Sequence, residues 1–202
     1  MMPAARESLL DAAFTALARR PWAAVRMVDV AAAAGVSRQT LYNEFGSKEG
    51  LARALVRREA DGYLAGVERA LAVHGDARDR LTAAAEWTMS AARGNVLVRA
   101  ILTGCWSERL PSPTLSAVPS SSSVPAQRRA DGPLPSPGDL VATVRDRAVA
   151  ALAGPGATAD TTELARSCEL AVRLALSCVA APPGEGGVAD LVRGVLHRQL
   201  VG

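Results

Sequence analysis

The chain has 202 residues, 49% of them apolar and 21% charged, with a formal net charge of +3 and an isoelectric point near 9.1. This is enough apolar material for a core, and aromatics at only 3% leave alanine and leucine to favour helices. Three cysteines, Cys105, Cys168 and Cys178, form neither a metal-ligand spacing nor an even disulfide set, and no apolar run reaches the roughly 18 residues of a membrane span. No leader pattern is visible in the opening MMPAARESLL, so a cytoplasmic chain with core cysteines and no membrane association is expected.

The first helix is expected from about Pro3 to Arg19, with Leu10, Phe14 and Leu17 as its apolar stripe and Ala13 widening it. Pro21 ends it, and Trp22 is expected to plug a small three-helix core. A short helix follows from Met27 to Ala34, where Val30, Ala31 and Ala34 form a small apolar face that permits close helix crossing. Gly35 then supplies the left-handed residue at which helices end. Ser37 is a good N-cap for the next helix, Arg38 to about Phe45, whose Leu41 and Phe45 share a buried face. Gly46 breaks the chain again, and Ser47 is placed to cap a further helix with Glu49 in its first turn.

Two short helices joined by a glycine turn, the second polar on its outer faces, read as a helix-turn-helix for double-stranded DNA. Arg38, Gln39 and Thr40 stand at the end of the second helix that meets base edges. Arginine suits guanine, glutamine suits adenine, and threonine suits a thymine methyl or a phosphate. Tyr42 and Asn43 suit phosphate oxygens, and Lys48, the sole lysine, sits at a helix start where it can clamp a phosphate. Glu44 is expected near the DNA side, as a specificity element or a solvated acid. Residues 1–60 carry nine basic and six acidic side chains, which matches the whole net charge of the protein.

At this point the residues resemble the TetR family of bacterial transcription regulators. The pattern is Asp29-Val30-Ala31, Ala34-Gly35-Val36-Ser37, Thr40-Leu41-Tyr42, Phe45, and Ser47-Lys48-Glu49 with Leu51, and it covers roughly residues 6–60. The resemblance implies base reading by Arg38, Gln39 and Thr40, and phosphate contacts from Thr40, Tyr42, Asn43 and Lys48. One departure stands out. Arg26 occupies a position where the family often has Thr or Ser to cap the helix and touch phosphate; an arginine cannot cap in that way, though its charge can meet a phosphate. Within the family, the run SRQTLYNEFGS is similar to regulators found near alkane-oxidation genes, which implies an acyl or alkyl effector.

Beyond the motif a long helix is expected from Ser47 to about Val73, marked by Leu51, Leu55, Tyr63, Val67 and Leu71, with Gly62 and Gly66 allowing a bend. Helices at Ala77–Arg93 and Val96–Leu102 follow. Trp87, Met89, Ile101, Cys105 and Trp106, with Leu176 further on, are either ordinary core or the lining of a pocket for a small hydrophobic molecule. Residues 110–138 are rich in Pro and Ser without hydrophobic period, and read as an irregular loop, either a lid or a linker without a role. Helices then run over Asp139–Ala153, Thr158–Ala181 and Val188–Leu200. The apolar faces of the last two suggest a four-helix bundle between two copies, and the resemblance implies the same pairing.

The expected architecture is all-α: a three-helix DNA-binding domain over residues 1–48, then a helical ligand-binding and dimerisation domain over 49–202. His74 and His197 join no nucleophile or acid, so no enzyme and no cofactor is expected. The function that follows is a repressor released from a near-palindromic operator by a small hydrophobic effector, with a ligand-independent architectural DNA-binding protein as the alternative.

Overall fold

The computed structural model describes residues 3–111, 134–153 and 161–200, the side chains of residues 3, 161 and 197–200 excepted. Among the described residues every regular element is helical: α1 Pro3–Arg19, a 3-10 turn Trp22–Ala24, α2 Met27–Ala33, α3 Arg38–Phe45, α4 Lys48–Leu71, α5 Ala77–Gly94, α6 Val96–Thr103, α7 Pro137–Leu152, α8 Thr161–Ala180 and α9 Gly187–Leu200. Most of the expected loop 110–138, and the GPG at 154–156, lie outside the described residues.

The chain forms two compact units. One holds the residues up to Glu59 with the segment beginning at Trp106, and the other holds Ala60–Cys105 with the residues from Pro135 onward. The expected division at residue 48 follows the DNA-binding motif; the compact division follows packing, because Leu51, Leu55 and Val56 of α4 are still buried in the first unit.

In the first unit α1 buries Leu9, Leu10, Ala13 and Leu17, while Phe14 is half-buried. The stripe is therefore rotated slightly from the expected Leu10-Phe14-Leu17. Trp22 is buried as expected, and its backbone N–H donates to the Arg109 carbonyl at 2.8 Å, which ties the returning segment to this unit. The α2 end is a Schellman motif: Gly35 N–H donates to the Ala32 carbonyl and Val36 N–H to the Ala31 carbonyl, with Gly35 at φ +69°. Gly50 has a different reason. A Cβ there would lie 1.9 Å from the Phe45 carbonyl oxygen, so only glycine lets α4 begin this close to the end of α3.

The second unit is a helical bundle in which α5 packs on α8 and α9, and α7 packs on α8. Its caps explain the element ends. Ser136 and Asp139 form a capping box with Pro137 in the first turn, so α7 starts two residues before the expected Asp139. Asp76 caps α5 and Asn95 caps α6. Arg80 donates to the carbonyls of Leu71 and Ala151, satisfying the C-terminal ends of α4 and α7 with one guanidinium. Gly66, expected to allow a bend in α4, makes room for the Trp87 indole, which lies 2.1 Å from where a Cβ would be. Cys168 and Cys178 are core residues, and burial pushes the Cys168 thiol up to about 11. Among the described residues no helix is long and apolar enough to cross a membrane.

Candidate nucleic-acid interface and effector cavity

The polar face of α3 is built by its cap and its buried pair. The Ser37 hydroxyl accepts from the Thr40 N–H at 3.0 Å and shares a 2.9 Å hydrogen bond with the Thr40 hydroxyl, which fixes the first turn. Leu41 and Phe45 anchor the inner face at 0% and 8% exposure. This orients Arg38, Gln39 and Asn43 to solvent, with Thr40 and Tyr42 half-buried beside them. Four of the five expected contact residues of this helix pair with one another, and the fifth, Thr40, is held by Ser37. Gln39 donates to the Asn43 side-chain oxygen at 2.8 Å, and the Arg38 guanidinium lies 5.2 Å from the centre of the Tyr42 ring.

Lys48 is held from the other side. Its ammonium donates to the Ala23 carbonyl at 3.0 Å and sits 5.7 Å from the Trp22 ring centre. Among the described contacts two of its three N–H donors remain for another acceptor. Ser47 caps α4 as expected, accepting from the Gly50 N–H at 3.1 Å. Neither Arg38 nor Lys48 forms an ion pair among the described residues.

Arg26 is the N-cap residue of α2 and makes no side-chain cap, in keeping with its sequence. Its Nε and Nη2 both donate at 3.2 Å to the Asp29 carboxylate, and Arg20 donates to the same carboxylate at 3.2 Å. The Arg26 hydrogen bond, aided by the charges of Arg26 and Arg20, holds the Asp29 carboxyl below the usual carboxylate range. Sequence spacing offered no sign of Arg20, which stands nine residues from Asp29 and meets it through the α1–α2 packing.

Glu44 corrects the expectation that it lies toward DNA. Its carboxylate is 8% exposed and pairs with Arg6 of α1 at 3.4 Å, while Arg6 also covers the Phe45 ring at 4.8 Å. The acid is turned inward, and its charge is balanced away from the α3 patch.

The six expected effector residues are dispersed. Trp87 donates its indole N–H to the Tyr63 carbonyl at 3.1 Å and packs on Gly66. Met89 lines an open groove with Glu86, Arg93 and Val188. Ile101 is buried in α6, Leu176 is half-buried on α8, Cys105 is exposed, and Trp106 belongs to the first unit. None of the six lines the apolar cavity among α5, α7 and α8, whose walls include Leu81, Ala84, Thr88, Val144, Ala148 and Ala171. That cavity is so pinched that it has room for scarcely one water. Its polar point is the Thr88 hydroxyl, which donates to the Ala84 carbonyl at 2.8 Å and so accepts from the buried Tyr63 hydroxyl at 3.1 Å. The void exists because small alanines face one another there, which a sequence reading drawn to bulky side chains does not mark.

With the helix-turn-helix and its outward polar face in place, comparison with known proteins defines the class. Residues 9–55 match the family described as bacterial regulatory proteins, tetR family. The chain is 33% identical over 192 residues, 93% of this chain and 82% of the other, to the HTH-type transcriptional regulator AlkX of Mycobacterium tuberculosis. The chain belongs to the TetR family, and it is a DNA-binding transcription regulator. It is also 41% identical over 81 residues, 40% of this chain and 37% of the other, to the HTH-type transcriptional activator FasR of Mycolicibacterium smegmatis. Its fold is similar to the crystal structure of the TetR family repressor AlkX from a Dietzia species, a protein implicated in biodegradation of n-alkanes. That likeness has a TM-score of 0.56 at 22% identity, covering 97% of this chain and 96% of the other.

Proposed function

We propose that this regulator is a homodimeric repressor that leaves its operator when a small uncharged apolar molecule enters the second unit. The observation that carries the DNA side is the solvent-facing α3 patch of Arg38, Gln39 and Asn43, fixed by the Ser37 cap and the buried Leu41 and Phe45. Such a helix in duplicate meets successive major grooves about 34–36 Å apart on a near-palindromic site. Pairing through α8 and α9 is supported by Leu191, which is 44% exposed, with Val195 half-buried one turn further on.

The chemistry of the effector follows from the cavity. The described wall holds no charged side chain, so a buried carboxylate would lack a partner at a cost of several kcal/mol, while an alkyl chain would not. The names of the AlkX relatives point the same way. Because the cavity is pinched, the effector acts by favouring a wider form of the bundle, and only its differential affinity for that form shifts DNA binding.

The test is recovery of duplexes from a random pool by the purified chain, followed by release with an n-alkane series. Specific binding that falls at least tenfold with Arg38→Ala, and is released by alkanes but not by unrelated sugars, is the expected result. Sequence-indifferent binding untouched by Arg38→Ala would refute it.

A further inference from the structure

The first unit distributes its charges unevenly. Arg58 gathers three carboxylates, with Asp11 at 2.7 Å, Glu59 at 2.8 Å and Glu7 at 3.8 Å. Asp29 is the reverse case, one carboxylate between two guanidiniums, Arg20 and Arg26, each within 3.2 Å of the same Oδ2. The Asp29 cluster, with two guanidiniums on one carboxylate, is left with surplus positive charge among the described contacts. Two arginines drawn onto one oxygen repel each other, and a second anion between or beside them would relieve that repulsion.

The geometry leaves room for that anion. Arg26 holds Asp29 through Nε and Nη2 and yet is 73% exposed, so the rest of its fork faces water. Of the five N–H donors of a guanidinium, two are used here and three remain among the described contacts. Arg20 is 41% exposed and uses Nη1 on Asp29. Asp29 itself is 26% exposed and, sitting in the first turn of α2, is fixed by the helix rather than by a loose loop. A bidentate carboxylate restrains the guanidinium plane, and a restrained fork is what phosphate oxygens fit best.

We propose that Arg20 and Arg26, positioned by Asp29, form a clamp for a DNA backbone phosphate, with Asp29 acting only through the two arginines. This rests on the DNA-binding face described for α3, and it adds Arg20, which no motif in the sequence marks, and a positioning role for Asp29. It also gives Arg26 a means of phosphate contact that does not depend on capping α2.

The experiment measures affinity of the full chain for a mixed-sequence duplex of about 30 base pairs across a salt series, since each phosphate contact contributes about 0.9 to the slope of log K against log salt. Arg20→Gln and Arg26→Gln are each expected to lower the slope by about 0.9 per protomer, with circular dichroism unchanged and thermal unfolding only slightly lowered by the lost pairing to Asp29. Arg26→Lys restores the charge without the fork, and is expected to recover the slope only in part. Asp29→Asn keeps both arginines but releases them. It is expected to lower the ratio of affinity for a duplex selected by the wild-type chain over the mixed-sequence duplex, by about threefold to tenfold. Folded Arg20→Gln and Arg26→Gln proteins with wild-type slopes would overturn the clamp, provided Lys48→Gln still lowers the slope. If the wild-type chain ignores both duplexes at low salt, the DNA-binding reading of α3 has failed instead.

Discussion

The two units solve opposite problems with the same secondary structure. The first holds polar side chains outward: Arg38, Gln39 and Asn43 are exposed on α3, and the packing beneath them exists to set their direction. The second turns its face inward, around Ala84, Ala148 and Ala171, and pairs the buried hydroxyls of Tyr63 and Thr88 with each other. A recognition surface needs rigid positions and exposed donors, whereas an effector site needs space and a bundle whose helices can shift. Helices form both faces, and what differs between them is the choice of small or long side chains.

This contrast can be broken most severely in the first unit. Leu41 is fully buried, so Leu41→Ala is expected to cost about 2–5 kcal/mol, and chemical denaturation should show it as a lower midpoint. In the second unit Gly66→Ala places a methyl group inside the Trp87 indole, an overpacking expected to cost about 1–3 kcal/mol. Trp87 fluorescence should report the displaced ring, while binding of DNA by isolated α3 contacts should survive at temperatures where the variant stays folded.

Leu191→Lys puts a charge on the exposed apolar face of α9 and is expected to shift sedimentation from dimer toward monomer, leaving the helical content of each chain unchanged. Ser37→Ala removes the cap of α3 and is expected to cost about 0.5–2 kcal/mol, with a larger proportional loss in DNA affinity than in stability. The smallest effect concerns pH. Asp29 is depressed in the folded chain from its ordinary value of 3.8, so the folded state binds its proton less readily than the unfolded one. Its contribution to stability is therefore present above that ordinary value and is lost as pH falls through the lower folded value. Asp29→Asn should flatten that acid limb of the stability curve, measured by thermal melts below neutral pH.

Much of the candidate DNA face was legible because it is local. Ser37, Leu41 and Phe45 lie within nine residues of one another, and capping and helical periodicity act over that range. Helix ends were legible for the same reason, and the extra residues of α7 come from a capping box whose acid, Asp139, is the expected first residue of the helix. The inward turn of Glu44 was not legible, because its partner Arg6 is 38 residues away. Nor was the role of Gly66, which answers to a tryptophan on another helix.

By itself the sequence determined the helical elements, the glycine turn, and which side chains of α3 share a face, since each depends on backbone preferences and spacing within a few turns. Tertiary structure alone decided that Asp29 joins Arg20 to Arg26, that Glu44 is taken up by Arg6, and that Ala84, Ala148 and Ala171 of three helices face one small apolar void. The physical reason is that pairing of charges and distribution of voids depend on which helices touch, and contact between distant segments leaves no periodic trace in the chain.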